Sequence, residues 1–194
     1  MKLKEHFSYD NKRGVHLKTF TEKNLKSCFV ILAPEHAVNL IKDTANSIKY
    51  HYPDLPFITV VDSSATKEDI AAIRSFSPVY KANETISSLI NVGMRHASHD
   101  WVFLIFAGTN VRPKLDSKFA FYINSEKDIL YPVAENKFNF VDATLNGLYI
   151  NKKNFREIGE FDESGDLNAI KLVWAAEAVE KGCKFKAILG SKMC

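Results

Sequence analysis

Three short polar stretches carry side chains suited to chemistry, and each directly follows an apolar run. They are Ala33-Pro34-Glu35-His36, Asp62-Ser63-Ser64-Ala65-Thr66 and Ala107-Gly108-Thr109-Asn110. A carboxylate just past a buried strand, as at Asp62, is well placed to accept hydrogen bonds from a ligand gathered at strand ends. The same aspartate can cap a helix, and Ser63 or Ser64 can fill that role equally well. Asp162, Glu163 and Asp166 stand together ahead of a helical stretch, where turn formation and capping are their plain use. Metal and thiol chemistry have less support. His96 and His99 lie three apart with no third acid or thiol, and His6, His16 and His51 show no ligand spacing; His36 stands apart as a lone histidine in a strand-end loop. Cys28, Cys183 and Cys194 form an odd set without a C-x-x-C pair, which speaks against a disulfide framework or zinc site and fits a reducing compartment.

The elements that must position these residues follow from periodicity. "CFVIL" (28–32) is a continuous apolar run suited to a strand buried on both faces. Val38, Ile41, Ala45 and Ile48 then recur at helical spacing, so 37–50 reads as an amphipathic helix. "FITVV" (57–61) is a second strand, and the Ser/Thr/Asp cluster before Glu68 and Asp69 opens a helix over 67–75. A short strand at 78–81, a helix at 84–97 and the strand "WVFLIF" (101–106) complete an alternating half. Such alternation calls for a parallel sheet with helices on both faces. The three polar stretches then leave the same ends of that sheet and should converge on one cleft. The second half changes character: strands at 128–133 and within 138–150 with a turn near Asn146-Gly147, a short helix at 152–159 closed by Gly159, a helix over 167–181 carrying Trp174 as a core residue, and an alternating strand at 183–189.

Size and charge bound the function. A chain of 194 residues, 46% hydrophobic and 12% aromatic, suits one domain with a substantial core. The net charge of +3 is concentrated in residues 1–26, where Lys2, Lys4, Lys12, Arg13, Lys18, Lys23 and Lys26 face few acids. This stretch reads as a basic, solvated N-terminal lead, and 27–194 as the folded domain. A nearly neutral body speaks against a nucleic-acid groove. No apolar run is long enough to span a bilayer or resembles a signal peptide, so a cytoplasmic location is expected.

Four fragments in this order resemble glycosyltransferase family 2 and related nucleotide-diphospho-sugar transferases of the GT-A fold. They are "CFVILAPEH", "ITVVDSSATKED", "SSLINVGMRHASHDWVFLIFAGTNVRP" and "LNGLYINKKNFREIGEFDE", together covering about 28–185. The resemblance implies an α/β, mostly parallel mixed sheet flanked by helices, a nucleotide-sugar donor and a glycan or other hydroxyl acceptor. By position it implies that Pro34, Glu35, Asp62 and Ser63 line the nucleotide pocket and that Asn91 and Arg95 lie on the helix leading to the metal-site strand, with Arg95 reaching a phosphate. It places Gly108, Thr109 and Asn110 at the donor's diphosphate, and Gly147 where an acceptor sugar approaches the backbone.

Two departures matter. Ala107 and Thr109 occupy the positions of the two aspartates that hold Mn²⁺ or Mg²⁺ in such proteins, and hard cations need anionic oxygens. No metal cofactor is therefore expected, and Arg95, Arg112 and Lys114 become the candidate cations for a leaving diphosphate. The Glu-Asp pair that supplies the family's base after "FDE" is also missing, which leaves Asp162, Glu163 or Asp166 as the general base. The leading expectation is a metal-independent glycosyltransferase acting by direct displacement. A non-catalytic, degenerate relative kept as a binding module is the alternative. A flavodoxin- or Rossmann-like binder is disfavoured because no G-x-G-x-x-G follows the first strand.

Overall fold

The computed structural model describes residues 4–10, 14–20, 25–35, 37–133 and 145–189. In chain order the elements are β1 (Lys4–Asp10), β2 (Gly14–Phe20), β3 (Ser27–Ala33), α1 (Val38–His51), β4 (Phe57–Val61), α2 (Lys67–Arg74), β5 (Val79–Lys81), α3 (Ile86–His96), β6 (Trp101–Phe106), α4 (Leu115–Tyr122), β7 (Asp128–Val133), β8 (Leu148–Asn151), α5 (Lys152–Ile158), α6 (Leu167–Glu180) and β9 (Lys184–Leu189). A seven-stranded sheet has the order β5-β4-β3-β6-β8-β7-β9. Strands β5, β4, β3 and β6 are parallel neighbours, β8 runs antiparallel to both β6 and β7, and β9 is parallel to β7. Only β8 opposes the rest.

Every residue of β3 is buried, as its unbroken apolar run requires in the centre of a two-sided sheet. One face packs Val30, Leu32, Val60 and Leu104 against Leu89 and Ile90 of α3 and Trp174 and Ala178 of α6. The other packs Phe29, Ile31 and Phe103 against Ile41, Ala45 and Ile48 of α1, Ile73 of α2 and Phe119 of α4. Ring stacking strengthens this second layer: Phe103 lies 5.0 Å from Phe29 and 4.0 Å from Tyr149, centroid to centroid. The buried Tyr149 hydroxyl is satisfied by Ser27 Oγ at 2.7 Å. On the first face α3 approaches so closely that a Cβ on Gly93 would stand 2.5 Å from Val30 Cγ1. That position requires glycine for contact rather than for conformation.

Helix ends are set by local chemistry. Thr66 and Asp69 form a reciprocal capping box at α2, and Thr85, Asn151 and Asp166 cap α3, α5 and α6. Gly159 ends α5 at φ 114°, a backbone conformation that L side chains rarely adopt.

Most expected elements are present to within a residue or two, and 57–61, 101–106 and 128–133 coincide with β4, β6 and β7. Three elements depart from expectation. Residues 4–20 contain the antiparallel pair β1–β2, a sheet of its own with Lys4 opposite Phe20, where a solvated lead was read. Helix α4 follows Pro113, and its apolar residues fall all round the helix rather than on one face, which left no periodicity to read. The expected strand residues 138–144 lie outside the described residues.

Candidate functional site at the strand ends

Register fixes which loops meet. Ala33 of β3 is level with Val61 of β4, Val61 is level with Lys81 of β5, and Leu32 is level with Phe106 of β6. The loops holding Pro34 and Glu35, Asp62 and Ser63, Asn83, and Gly108 to Asn110 therefore leave one carboxyl end of the sheet. A crevice outside those ends is where open α/β sheets gather ligands.

On the β4–β5 side the side chains are charged or strongly polar. Asp62 is buried, at 4% exposure, and its Oδ1 accepts from Ser64 N at 2.8 Å and from Ser64 Oγ at 2.5 Å. Lys81 Nζ donates to Ala65 O at 2.9 Å and so lies across the Asp62–Thr66 loop. Ala82 N donates to Val61 O, which holds the following Asn83 beside that loop. Asn83 Nδ2 in turn donates to Glu163 Oε2 at 3.0 Å, and Asn91 Nδ2 donates to Glu163 Oε1 at 3.2 Å. Burial pushes the Glu163 carboxyl up, but hydrogen bonds from Asn83, Asn91 and Ser88 and the charge of Arg95 outweigh it and hold the group below its ordinary value. Glu163 is thus an ionised latch with both oxygens engaged.

Asn91 sits on the buried face of α3 and clamps the strap before α6: its Nδ2 donates to Phe161 O at 2.8 Å and its Oδ1 accepts from Phe161 N at 2.9 Å. Asp162, next to the latch, is exposed. Its Oδ1 accepts from Ser164 N and Oγ, and the side-chain bond followed by the backbone bond lowers its pKa. Asp166 is spent on Asn168 N and Ala169 N as the α6 cap.

On the β6–β8 side the chemistry is neutral. Thr109 is buried, at 5% exposure, and faces Asn146. Asn146 Nδ2 donates to Thr109 Oγ1 at 3.0 Å, Thr109 Oγ1 lies 3.3 Å from Asn146 Oδ1, and that Oδ1 also accepts from Phe106 N at 3.0 Å. Gly147, buried at φ 90°, donates its N–H to Leu104 O at 2.7 Å and so belongs to the β6–β8 junction. Gly108 donates to Leu40 O and Thr44 Oγ1 of α1. Ala107 brings no side-chain donor, and the Thr109 oxygen is taken. Among the described residues no group of three or more His, Cys, Asp or Glu is placed to hold a metal ion. These residues do not fit the divalent cation that the resemblance implies.

The cations expected to replace that metal are not at this end. Arg95 lies near the last turn of α3, nine residues beyond its start and so about 14 Å down the helix, where its Nη1 pairs with Glu160 at 2.8 Å. Residues 108–112 descend alongside α1: Gly108 bonds to Leu40, Val111 N donates to Ser47 Oγ, and Tyr52 OH donates to Arg112 O at 2.6 Å. From Leu40 to Tyr52 is about 18 Å at the helical rise, so Arg112 and Lys114 belong to the opposite end of the sheet. Lys81, Asn83 and Asn146 are the polar residues that sequence reasoning passed over. Lys81 and Asn83 had one signal, polar residues at and two places past the end of the short run 78–81. Trp174, stacked 4.7 Å from Phe161 with Nε1 donating to Gly159 O, is a core residue as expected.

No protein-family model matches the chain, and no curated protein matches it in sequence. Solved structures do. A nucleotidyl transferase from Methanothermobacter thermautotroptrophicus superposes with a TM-score of 0.59 at 16% identity, over 87% of this chain and 88% of that one. A 4-diphosphocytidyl-2C-methyl-D-erythritol synthase gives 0.57 at 14% identity, over 88% and 94%. Residues 1–349 of S. aureus TarS give 0.55 at 14% identity, over 83% of this chain and 58% of that one. At these identities the likeness establishes architecture: the chain has the nucleotide-diphospho-sugar transferase fold. No helix among the described residues is long and apolar enough to cross a membrane.

Proposed function

We propose that this chain binds a nucleotide-sugar donor between the loops after β3, β4 and β5 and transfers the sugar to a hydroxyl acceptor. The observation that carries the reading is the buried Asp62 carboxylate at the end of β4, flanked by Lys81 and Asn83. Together they offer a charged acceptor and two kinds of donor to a base and ribose. Pro34, Glu35 and Ser63 line the same loops, while Gly108, Thr109 and Asn110 border the donor on the β6 side.

Among the three candidate bases, Asp162 suits the reaction best. Glu163 has both oxygens bound; Asp162 and Asp166 are both exposed and bonded through Oδ1, but Asp166 is committed to the N-terminus of α6 whereas Asp162 holds only its own turn. Its lowered pKa means that it is ionised at neutral pH. In a direct displacement the acceptor oxygen bonds to the anomeric carbon, the bond from that carbon to the diphosphate oxygen breaks, the hydroxyl proton passes to Asp162, and a nucleoside diphosphate leaves. Gly147 borders the acceptor side of this arrangement.

A second reading is nucleotidyl transfer, in which a phosphate-bearing acceptor attacks a nucleoside triphosphate and pyrophosphate leaves. It is favoured by coverage, since the chain matches nearly the whole length of two such proteins but little more than half of TarS 1–349. Incubation with UDP-, GDP- and CMP-sugars, and separately with CTP and UTP plus sugar phosphates, distinguishes the readings by the leaving group released. Binding without release of either leaves a binding module, and no binding of any nucleotide defeats both enzymatic readings.

A further inference from the structure

The backbone donors of the loop after β6 bond within the protein. Ala107 N donates to Leu32 O, Gly108 N to Leu40 O and Thr44 Oγ1, and Thr109 N to Phe106 O, so each of these backbone donors is used inside the protein. One partner reaches this loop from a distant part of the sequence. The Asn146 side chain bridges 37 residues to Thr109 and 40 to Phe106, joining the end of β6 to the turn that opens β8. A primary amide suits this role because it carries an acceptor and two donors on one planar group. It accepts from the Phe106 N–H, which stands beyond the last β6–β8 register pair of Leu104 with Leu148, and it satisfies a buried hydroxyl. Left unpaired, such groups are costly.

We propose that Asn146 is the positioning residue of the carboxyl end. Together with Thr109 and Phe106 it ties the loop after β6 to the start of β8 by neutral hydrogen bonds, at the place where proteins resembling this one use a divalent cation. The junction is therefore permanent and independent of cations. This deepens the reading above by stating what organises the phosphate side of the site, and its test needs no nucleotide.

The first probe is Mn²⁺ alone, added to the full ¹⁵N-labelled chain and read as selective paramagnetic loss of amide signals. In the wild type the signals of Gly108, Thr109 and Asn146 keep pace with the rest of the protein. In the double variant A107D/T109D, which supplies two carboxylates at the same backbone positions, those signals vanish selectively. Selective loss in the wild type overturns the proposal, as does a folded double variant that is indifferent to Mn²⁺. Because Thr109 is buried and the double variant can fail to fold, Asn146→Ala supplies the second arm. Amide exchange at Phe106 is expected to accelerate by about tenfold or more, matching roughly 1–3 kcal/mol for an orphaned donor. Val60 in the central sheet stays protected, and Mn²⁺ does not restore Phe106. Unchanged exchange at Phe106, or its restoration by Mn²⁺, contradicts the assignment.

Discussion

The two sides of the carboxyl end are built from opposite chemistry. Beside β4 and β5 stand a buried carboxylate, an ammonium and an ionised glutamate held by two asparagines. Beside β6 and β8 stand a glycine, a threonine and an asparagine whose polar atoms bond chiefly to the protein itself. The first side is charged and the second is neutral, which is the physical difference between them. The proposed nucleotide site falls on the first side, and the junction proposed for Asn146 on the second.

The largest way to break the contrast is Asn91→Ala. Removing that side chain leaves the buried N–H and C=O of Phe161 unpaired and takes one of its hydrogen bonds from Glu163, for a loss of about 3 kcal/mol and a clear fall in Tm by calorimetry. Gly93→Ala comes next. Its new methyl group would meet Val30, and lifting α3 from the sheet should cost about 2 kcal/mol, read as a lower urea midpoint with unchanged slope. Asp162→Asn should slow sugar transfer by about 100-fold or more while leaving donor affinity intact, a split checked by kcat against KM.

A subtler effect sharpens the charged side. The folded-state pKa of Glu163 lies below its ordinary value near 4.5, so its contribution to stability is full above that value and is lost as pH falls through the folded one. Glu163→Gln should lower Tm at pH 7 and converge with the wild type as the pH falls, so that the acid limb of a Tm–pH profile is flattened. Arg95→Ala should do least, under about 0.5 kcal/mol, because its pair with Glu160 is exposed and lies away from the strand ends.

How far the sequence discloses these features depends on the range of the contact involved. Strands β4 and β6 were legible because each is a continuous apolar run bounded by polar residues, and helix α2 because Thr66 and Asp69 announce its start. The turn at Asn146-Gly147 was also legible, but not the use of the Asn146 side chain, whose partner lies 37 residues earlier. Local charge is no guide to position at Arg112 and Lys114. Their closeness in sequence to β6 suggested a place at its end, yet the chain runs down α1 before reaching them. Helix α4 escaped because its apolar residues fall on all sides, and β1–β2 because the basic residues around it invited a solvated reading.

The central claim, that the β4–β5 side of the carboxyl end receives a nucleotide, is tested most directly by titrating the ¹⁵N-labelled chain with UDP, CDP and GDP in the presence of EDTA. Saturable shifts centred on Asp62, Ser64, Lys81 and Asn83 for one of these nucleotides, abolished by Asp62→Ala, are the predicted result. Shifts confined to other parts of the sheet, or no saturable shift with any of the three, would contradict it.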